Sequence, residues 1–556
     1  MNLFSKILCS LFLFTSQFSF AQKNKPLKLS KADKVIVANL QSHINYLADD
    51  KLEGRRTGTN GEKLAMEYIS SEFQKIGIAA KGKNGYYQPF EINDGKQINS
   101  STHFIINNNH LVLGKDFFPL AFSANINLEA LPAVAVQEAD MPWFYDLKFG
   151  LEENKDNPHF DLSEYVRSNV KKAQAKGAST IVLYNSSAID DKLQFNGKDR
   201  SEALEIPVLY VSKEVAKKYF EDESATLDIK IKVEISAKNR TGNNVVGYID
   251  NGSVSTVILG AHFDHLGFGE DGNSMIRTGE KLIHNGADDN ASGTAALIEL
   301  ARLLKNSKQK NNNYLFIAFS GEELGLNGSK YFTENPTIDM GTVNFMINMD
   351  MVGRLKDSSR VLTVGGFGTS PQWSSLINLN PKKSSLIIKL DSSGTGPSDH
   401  TSFYRKDIPV LFFFTGLHTD YHKPSDDAEK INYAGEAMII NLINSIITSS
   451  GNLNQKLAFT KTREAPTTTS ARFSVSLGVM PDYTFTGAGV RIDGVSEGRT
   501  AQKAGMKAGD IIVQLGDHTI SSVEDYMQSL GKFKKGDNSK VKFKRGQEVI
   551  EAPVQF

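Results

Sequence analysis

A chain of 556 residues is too long for one compact core, and 40% apolar with 23% charged residues is the composition of an ordinary globular protein of two or three domains. Lysine plus arginine equals aspartate plus glutamate at 63 each, which excludes a global field drawing the molecule to nucleic acid or an anionic membrane. The single cysteine, Cys9, lies in an N-terminal apolar run, so a mature chain lacking that run is neither a disulfide scaffold nor a cysteine enzyme.

That run, Ile7 to Phe14, follows the basic start MNLFSK and ends in Ser19-Phe20-Ala21 before the polar Gln22. The pattern predicts a signal peptide over 1–21, cleaved after Ala21. It is shorter than the roughly 20 residues a bilayer span requires. Export to the periplasm, the cell surface or the medium is expected, with no transmembrane span after cleavage.

From Val35 to about Ile78 the spacing of Leu64, Tyr68, Ile69, Phe73 and Ile76 predicts helices, interrupted by the polar loop KLEGRRTGTNGEK. This opens a first section, 33–125. Between 126 and 238 the character changes to short strands at Ala133–Val136, Ser179–Tyr184 and Val208–Val211, with a helical patch at Val166–Ala175 and no catalytic cluster. From 239 to 450 strands and helices alternate. Apolar strand runs occur at Thr256–Gly260, Tyr314–Phe319, Val343–Ile347, Val361–Val364, Leu386–Leu390 and Val410–Phe414, with helices at Ser292–Leu304 and Ala434–Ile447. That order predicts an α/β fold, a mixed, largely parallel sheet sandwiched by helices. Residues 451–472 read as a linker, and 473–556 as a small separate domain of short strands with one helix at Ser522–Leu530.

Ligands of an open α/β sheet bind beyond the carboxyl ends of its strands, so the residues following each apolar run carry the information. They are AHFDHLG with His262, Asp264 and His265; SGEELG with Glu322 and Glu323; NMDMVG with Asp350; and TGLHTDYHKPSDD with Asp420 and His422. HNGADDNASG adds Asp288, Asp289 and Asn290 just before a helix. Any one of these is an ordinary polar loop, and DDNASG alone is a good helix N-cap. His284, His400 and His418 read as loop histidines or as groups behind the ligands. Their joint occurrence on one side of one sheet is what a polar-loop explanation fails to account for. Imidazoles and carboxylates converging in this way form a site of the kind Zn²⁺ prefers. Two histidines with three carboxylates exceed one tetrahedral site and fit two ions sharing a bridging carboxylate, as in two-metal hydrolases.

GAHFDHLG, NGADDNASG, GEELGLNGS, NMDMVG and DYHKPSDD resemble, in order, the motif set of the M28 family of zinc peptidases, the di-zinc aminopeptidases. YLADDKLEGRRTGTNGEKLAMEYISSEFQKIGI is similar to that family's opening segment. The resemblance implies a zinc exopeptidase fold built from 33–125 and 239–450, with two Zn²⁺ ions per chain. His262, Asp350 and a bridging Asp289 would bind one, Asp289, Glu323 and His422 the other. Glu322 would be the general base, and Asp264 would hydrogen-bond the far nitrogen of His262. KGASTIVLYN and EIPVLYVS make 126–238 resemble a protease-associated domain inserted into the peptidase. The C-terminal SLGVM, AQKAGMKAGDIIVQLG and VEDYMQSL are similar to PDZ domains, where the loop Ser476, Leu477, Gly478 and Val479 would take up a peptide C-terminus. The implied activity is removal of N-terminal residues from peptide substrates. A carboxypeptidase or dipeptidase on the same fold, with Arg354 or Arg405 receiving the substrate carboxylate, is the main alternative. A single-zinc glutaminyl cyclase and a non-catalytic peptide-binding protein are further ones.

Overall fold

The computed structural model of the chain describes residues 29–556 apart from 158–159, 198, 200–202, 277–279, 378–385, 454, 463–474, 482–487, 496–497 and 521–522. The signal segment expected at 1–21 and the later half of the expected linker lie outside the described residues. No helix among the described residues is long and apolar enough to cross a membrane.

The apolar runs of the third section become the strands of one nine-stranded sheet. In chain order its members are β1 (Ala79–Ala80), β2 (Tyr87–Ile98), β3 (Ile235–Ile249), β4 (Thr256–His262), β5 (Asn313–Phe319), β6 (Val343–Met349), β7 (Val361–Gly365), β8 (Ile387–Leu390) and β9 (Val410–Phe414). Across the sheet they run β1-β3-β5-β4-β6-β9-β7-β8, with β2 also paired to β3. The central strands β5, β4, β6 and β9 are mutually parallel, while β3 joins β5, and β7 joins β9, antiparallel. Every residue of β4, β5 and β6 is buried, as continuous apolar runs require when both faces are covered.

Strand alternation divides these runs between two cores. Val257, Leu259, Ala261, Phe316, Ala318, Phe345 and Ile347 face helices α1 (Lys31–Leu47), α2 (Asn60–Ile76), α3 (Gly293–Lys305) and α5 (Tyr433–Ser450). Ile258, Leu315, Ile317, Phe319 and Met346 face the other way, against Phe332 of α4 (Asn327–Glu334) and Phe403. Burying each such side chain contributes roughly 1.5–3 kcal/mol. The two cores together fix the sheet between layers, so the carboxyl ends of four parallel strands open on one edge.

Strands β2 and β3 pair from Val245↔Tyr87 to Ile235↔Ile98 and lead out of the main sheet into a smaller unit of two four-stranded sheets. One contains His103–Ile106, Asn109–His110, Ile126–Ala130 and Ile229–Val233; the other contains Phe117–Pro119, Pro142–Asp146, Thr180–Tyr184 and Val208–Val211. Strand pairing therefore carries this unit to the N-terminal side of residue 126, because His103–Ile106 is hydrogen-bonded to Ile229–Val233. The strand expected at Ala133–Val136 does not form. Ala133 makes one bridge to Thr226, and the run closes in a turn from the Val136 amide to the Ala133 carbonyl. Pro132, with no N–H to donate, precedes it.

At the C-terminus an antiparallel sheet, including Val479–Pro481, Val490–Val495, Ile511–Leu515, Asn538–Arg545 and Glu548–Gln555, packs with Val523–Leu530 around its own core of Leu477, Ile492, Ile512, Leu515, Val541 and Phe543. Ser476 is exposed, and the Gly478 amide, at φ +77°, donates to Ser476 Oγ at 3.0 Å.

Candidate metal centre

His262 is the last residue of β4, and the chain leaves the sheet directly into Asp264 and His265. Asp350 follows β6, the turn carrying Glu322 and Glu323 follows β5, and His422 lies in the loop after β9. Asp289 comes from the wide turn Ala287–Ser292 that enters α3. Gly286 opens that turn at φ +54°, and a Cβ there would lie 2.1 Å from the Asp289 carbonyl, so only glycine lets the turn close.

These side chains meet around Asp289. Its Oδ1 stands 3.4 Å from His262 Nε2, and its Oδ2 stands 3.3 Å from His422 Nε2. Asp350 Oδ1 is 3.4 Å from His262 Nε2, and Glu323 Oε2 is 3.2 Å from His422 Nε2. The tautomers follow from the partners. His262 Nδ1 lies 3.1 Å from the Asp264 carbonyl and His422 Nδ1 lies 3.0 Å from the Asn273 carbonyl; a carbonyl only accepts, so each Nδ1 carries the proton. Each Nε2 therefore faces the carboxylates: without a metal the carboxylates, despite burial, hold a proton on it, raising both rings well above their ordinary value, and with a metal it is the atom left to ligate. His262, Asp289 and Asp350 offer donor atoms within 4.8 Å of one another, and so do His265, Asp289 and Glu323. On donor chemistry the residues fit a pair of divalent ions with Asp289 between them.

Electrostatics separates the two adjacent glutamates. Burial raises the Glu322 carboxyl well above the usual range, and the charges of Asp350 and Glu323 add to the rise against the pull of His262. For Glu323, burial pushes up but His422, together with hydrogen bonds from His265 and His422, brings the group down to about 2. Asp289 is held well below its ordinary value despite burial, by its bonds to His262 and His422. The surroundings thus favour the protonated form of Glu322 and the anion of Glu323.

Residues 244–447 match the family model described as Peptidase family M28, and residues 452–556 match that of a PDZ domain. The section 244–447 belongs to peptidase family M28. Aminopeptidase YwaD of Bacillus subtilis is 28% identical over 287 residues, 49% of this chain and 56% of that protein. Leucine aminopeptidase 2 of Trichophyton rubrum is 25% identical over 401 residues, 69% of this chain and 73% of its own. The chain spans about half the length of the first of these relatives. A solved zinc aminopeptidase from Bacillus subtilis aligns at 22% identity over 74% of this chain and 95% of its own, with a TM-score of 0.42.

Within the M28 section, Asp264 departs from its expected role. Its backbone carbonyl, not its carboxylate, holds the His262 ring; Oδ1 is 3.8 Å from Nδ1. The turn after β4 swings the carboxylate towards the other loops, where it accepts the Glu322 amide at 3.1 Å and the Thr57 hydroxyl at 3.0 Å. Asp288 faces away from the pair, accepting from the Gly353 amide at 2.7 Å and standing 3.1 Å from His418 Nε2. His284 pairs with Ser274 Oγ, and His400 stacks on Phe412; neither belongs to the cluster. Arg354 is engaged by Asp420 at 3.1 Å, and Arg405 is exposed.

Several contributors stand outside the ligand set that the resemblance implies. His265 Nδ1 stands 2.7 Å from Glu323 Oε1. Ser398 donates to Asp350 Oδ2 at 2.7 Å, and Asp426 Oδ2 accepts the amides of Asp288 and Asp289, both at 3.0 Å. Arg55, 0% exposed, donates to the carbonyls of Leu47, Phe263, Asn285 and Gly286, tying the loop after β4 to the turn that bears Asp289. Burial brings its guanidinium down to about 10, against the pull of Asp264, Asp289, Asp426 and Glu323. Glu62 accepts the Gly58 and Asn243 amides and the Ser320 hydroxyl, and so fixes the start of the Glu322 turn. The opening loop KLEGRRTGTNGEK, which reads as a mere connection, is the floor of this site.

Proposed function

We propose that the chain is an exported, zinc-dependent aminopeptidase that removes N-terminal residues from peptides. The observation that carries this reading is the Asp289 carboxylate standing between two imidazoles whose Nε2 atoms face it, with Asp350 and Glu323 completing a donor group on either side. His262, Asp289 and Asp350 would hold one zinc ion, and Asp289, Glu323 and His422 the other. The ions would supply Lewis acidity, lowering the pKa of a shared water toward neutrality and polarising the scissile carbonyl.

The remaining work falls to the chain's own groups. Glu322 lies 4.0 Å from His262 Nε2, beside the donor groups, and its raised pKa suits it to take a proton from the attacking water and return it to the departing amine. Asp264 and Thr57 hold the backbone of the turn that aims it. Ser398 orients Asp350, and Asp426 orients Asp289 through the amides it accepts. Because Arg354 is already paired with Asp420, it is a poor receiver for a substrate carboxylate, which favours the amino-end over the carboxyl-end reading. In the C-terminal domain, the Ser476–Val479 loop would take a peptide C-terminus.

Glu322→Gln keeps the shape of the side chain and removes the base. It is expected to retain both zinc equivalents while kcat falls by a factor of about 10²–10⁴. Near-native turnover with both ions bound would remove Glu322 from the mechanism. Aminoacyl chromogenic substrates with free and blocked N-termini, assayed after chelation and zinc addition, test metal dependence and end specificity together.

A further inference from the structure

The loop after Leu266 holds no residue of the proposed ligand set, yet it touches that set repeatedly. Asn273 Nδ2 donates to the backbone carbonyl of Glu323 at 2.7 Å, and the Asn273 carbonyl accepts from His422 Nδ1 at 3.0 Å. The Met275 amide adds a bond to the His422 carbonyl at 2.9 Å. One residue therefore staples Glu323 and His422, which arrive from different strands and are far apart in sequence.

The loop is itself anchored two residues earlier. Asp271 accepts from Arg56 Nε at 2.7 Å and from Arg56 Nη2 at 2.8 Å, and Arg240 Nη2 lies 3.4 Å from both of its oxygens. Arg240 belongs to β3, the strand that leads to the inserted unit, and it is also 3.1 Å from Asp94 on β2. These charges are largely buried, with Arg240 at 9% and Asp271 at 14% side-chain exposure, so water and salt screen them little. Between anchor and staple, Gly272 at φ +82° makes the sharp bend.

We propose that Asn273 is a positioning residue for one metal of the pair, that held by Asp289, Glu323 and His422, and that Asp271 sets the loop through its pairing with Arg56 and Arg240. This rests on the two-zinc reading above. Groups that orient metal ligands change affinity by about 10–100-fold when removed. Removing the amide of Asn273 frees the Glu323 backbone and loosens the loop whose carbonyl fixes the His422 tautomer. The other donor group is not touched, because His262 is held by Asp264 and Asp350 by Ser398.

The test is zinc titration of the metal-free full chain against a chromophoric chelator, which counts equivalents and reads each affinity without reference to activity. The unsubstituted chain is expected to bind two equivalents. Asn273→Ala is expected to weaken one of them about 10–100-fold and leave the other within threefold. Asp271→Asn is expected to weaken the same equivalent, and the double variant to lose less than the two effects summed. Two equivalents of native affinity in Asn273→Ala, or equal weakening of both, overturn the inference while the two-zinc reading stands. A single equivalent in the unsubstituted chain overturns that reading and the inference with it.

Discussion

Replacing Arg55 by methionine isolates the contribution of the opening loop to the M28 section. The side chain is 0% exposed and donates to four carbonyls. The Gly286 carbonyl keeps a second donor in the Ala291 amide, whereas those of Leu47, Phe263 and Asn285 have no other donor among the described residues. Leaving two buried acceptors and the part-buried Asn285 carbonyl unsatisfied costs about 1–3 kcal/mol each, or at most roughly 3–9 kcal/mol together. Releasing a buried guanidinium from its desolvation penalty returns several kcal/mol of this. The net loss expected is about 3–5 kcal/mol, the range seen when one partner of a buried charge network is removed. Lysine keeps the charge but cannot span the fork of carbonyls, so Arg55→Lys should fall between methionine and the native chain. Trp373 is fully buried in the same core, and in a Trp143→Phe background it is the only tryptophan, so its fluorescence during urea unfolding reports this section alone. A loss below about 1 kcal/mol in Arg55→Met would refute the argument that this guanidinium secures the loops.

Glu62 gives a pH signature. Burial, opposed by its three hydrogen bonds, raises its carboxyl from 4.5 to about 7. An acid with a raised folded pKa binds more protons in the native than in the unfolded chain between those values, so stability falls as pH rises from about 4.5 to about 7. The contribution is at most roughly 3 kcal/mol. Glu62→Gln should shallow that decline in the metal-free chain without abolishing it, because Asp264, raised to about 6, carries the same sign; an unchanged pH profile would remove Glu62 as its source. At Gly61, a Cβ would lie 1.9 Å from the Leu52 carbonyl, so Gly61→Ala should lose about 1–3 kcal/mol in the same unfolding assay. Helix propensity alone predicts the opposite sign, a gain of up to about 1 kcal/mol, which makes the direction of the shift decisive.

The central strands were legible because each is a continuous apolar run bounded by glycine or polar residues, a pattern that a strand covered on both faces produces. Thr256–His262 and Asn313–Phe319 extend only slightly beyond the runs expected from sequence. The short run at Ala133–Val136 misled because local apolarity does not extend a ladder: its pairing stops at one bridge to Thr226 before the chain turns, and pairing is a tertiary event. For the same reason strand β2, which is interrupted by the polar Asn93 and Asp94 and by Gly95, gave no signal; it is a strand because β3 lies beside it. At the site, the ordered motifs picked out Asp289 from its neighbour Asp288 only through family resemblance. Their opposite orientations are a property of the turn entering α3, where Asp288 is committed to the Gly353 amide.

What the sequence determined by itself is the list of candidate chemistries: imidazoles and carboxylates placed just after apolar strands that must lie parallel, hence on one edge. Ligand identity at that level depends only on residue type and on which end of a strand a residue follows. What the tertiary structure alone decided is how those groups are aimed. The tautomers of His262 and His422 are set by the carbonyls of Asp264 and Asn273, the opposite protonation tendencies of Glu322 and Glu323 by which charges surround each, and the floor of the site by Arg55 and Glu62 reaching in from the opening loop. Orientation and electrostatics depend on through-space neighbours at 3 to 4 Å, and for these groups the neighbours come from loops up to hundreds of residues apart in the chain.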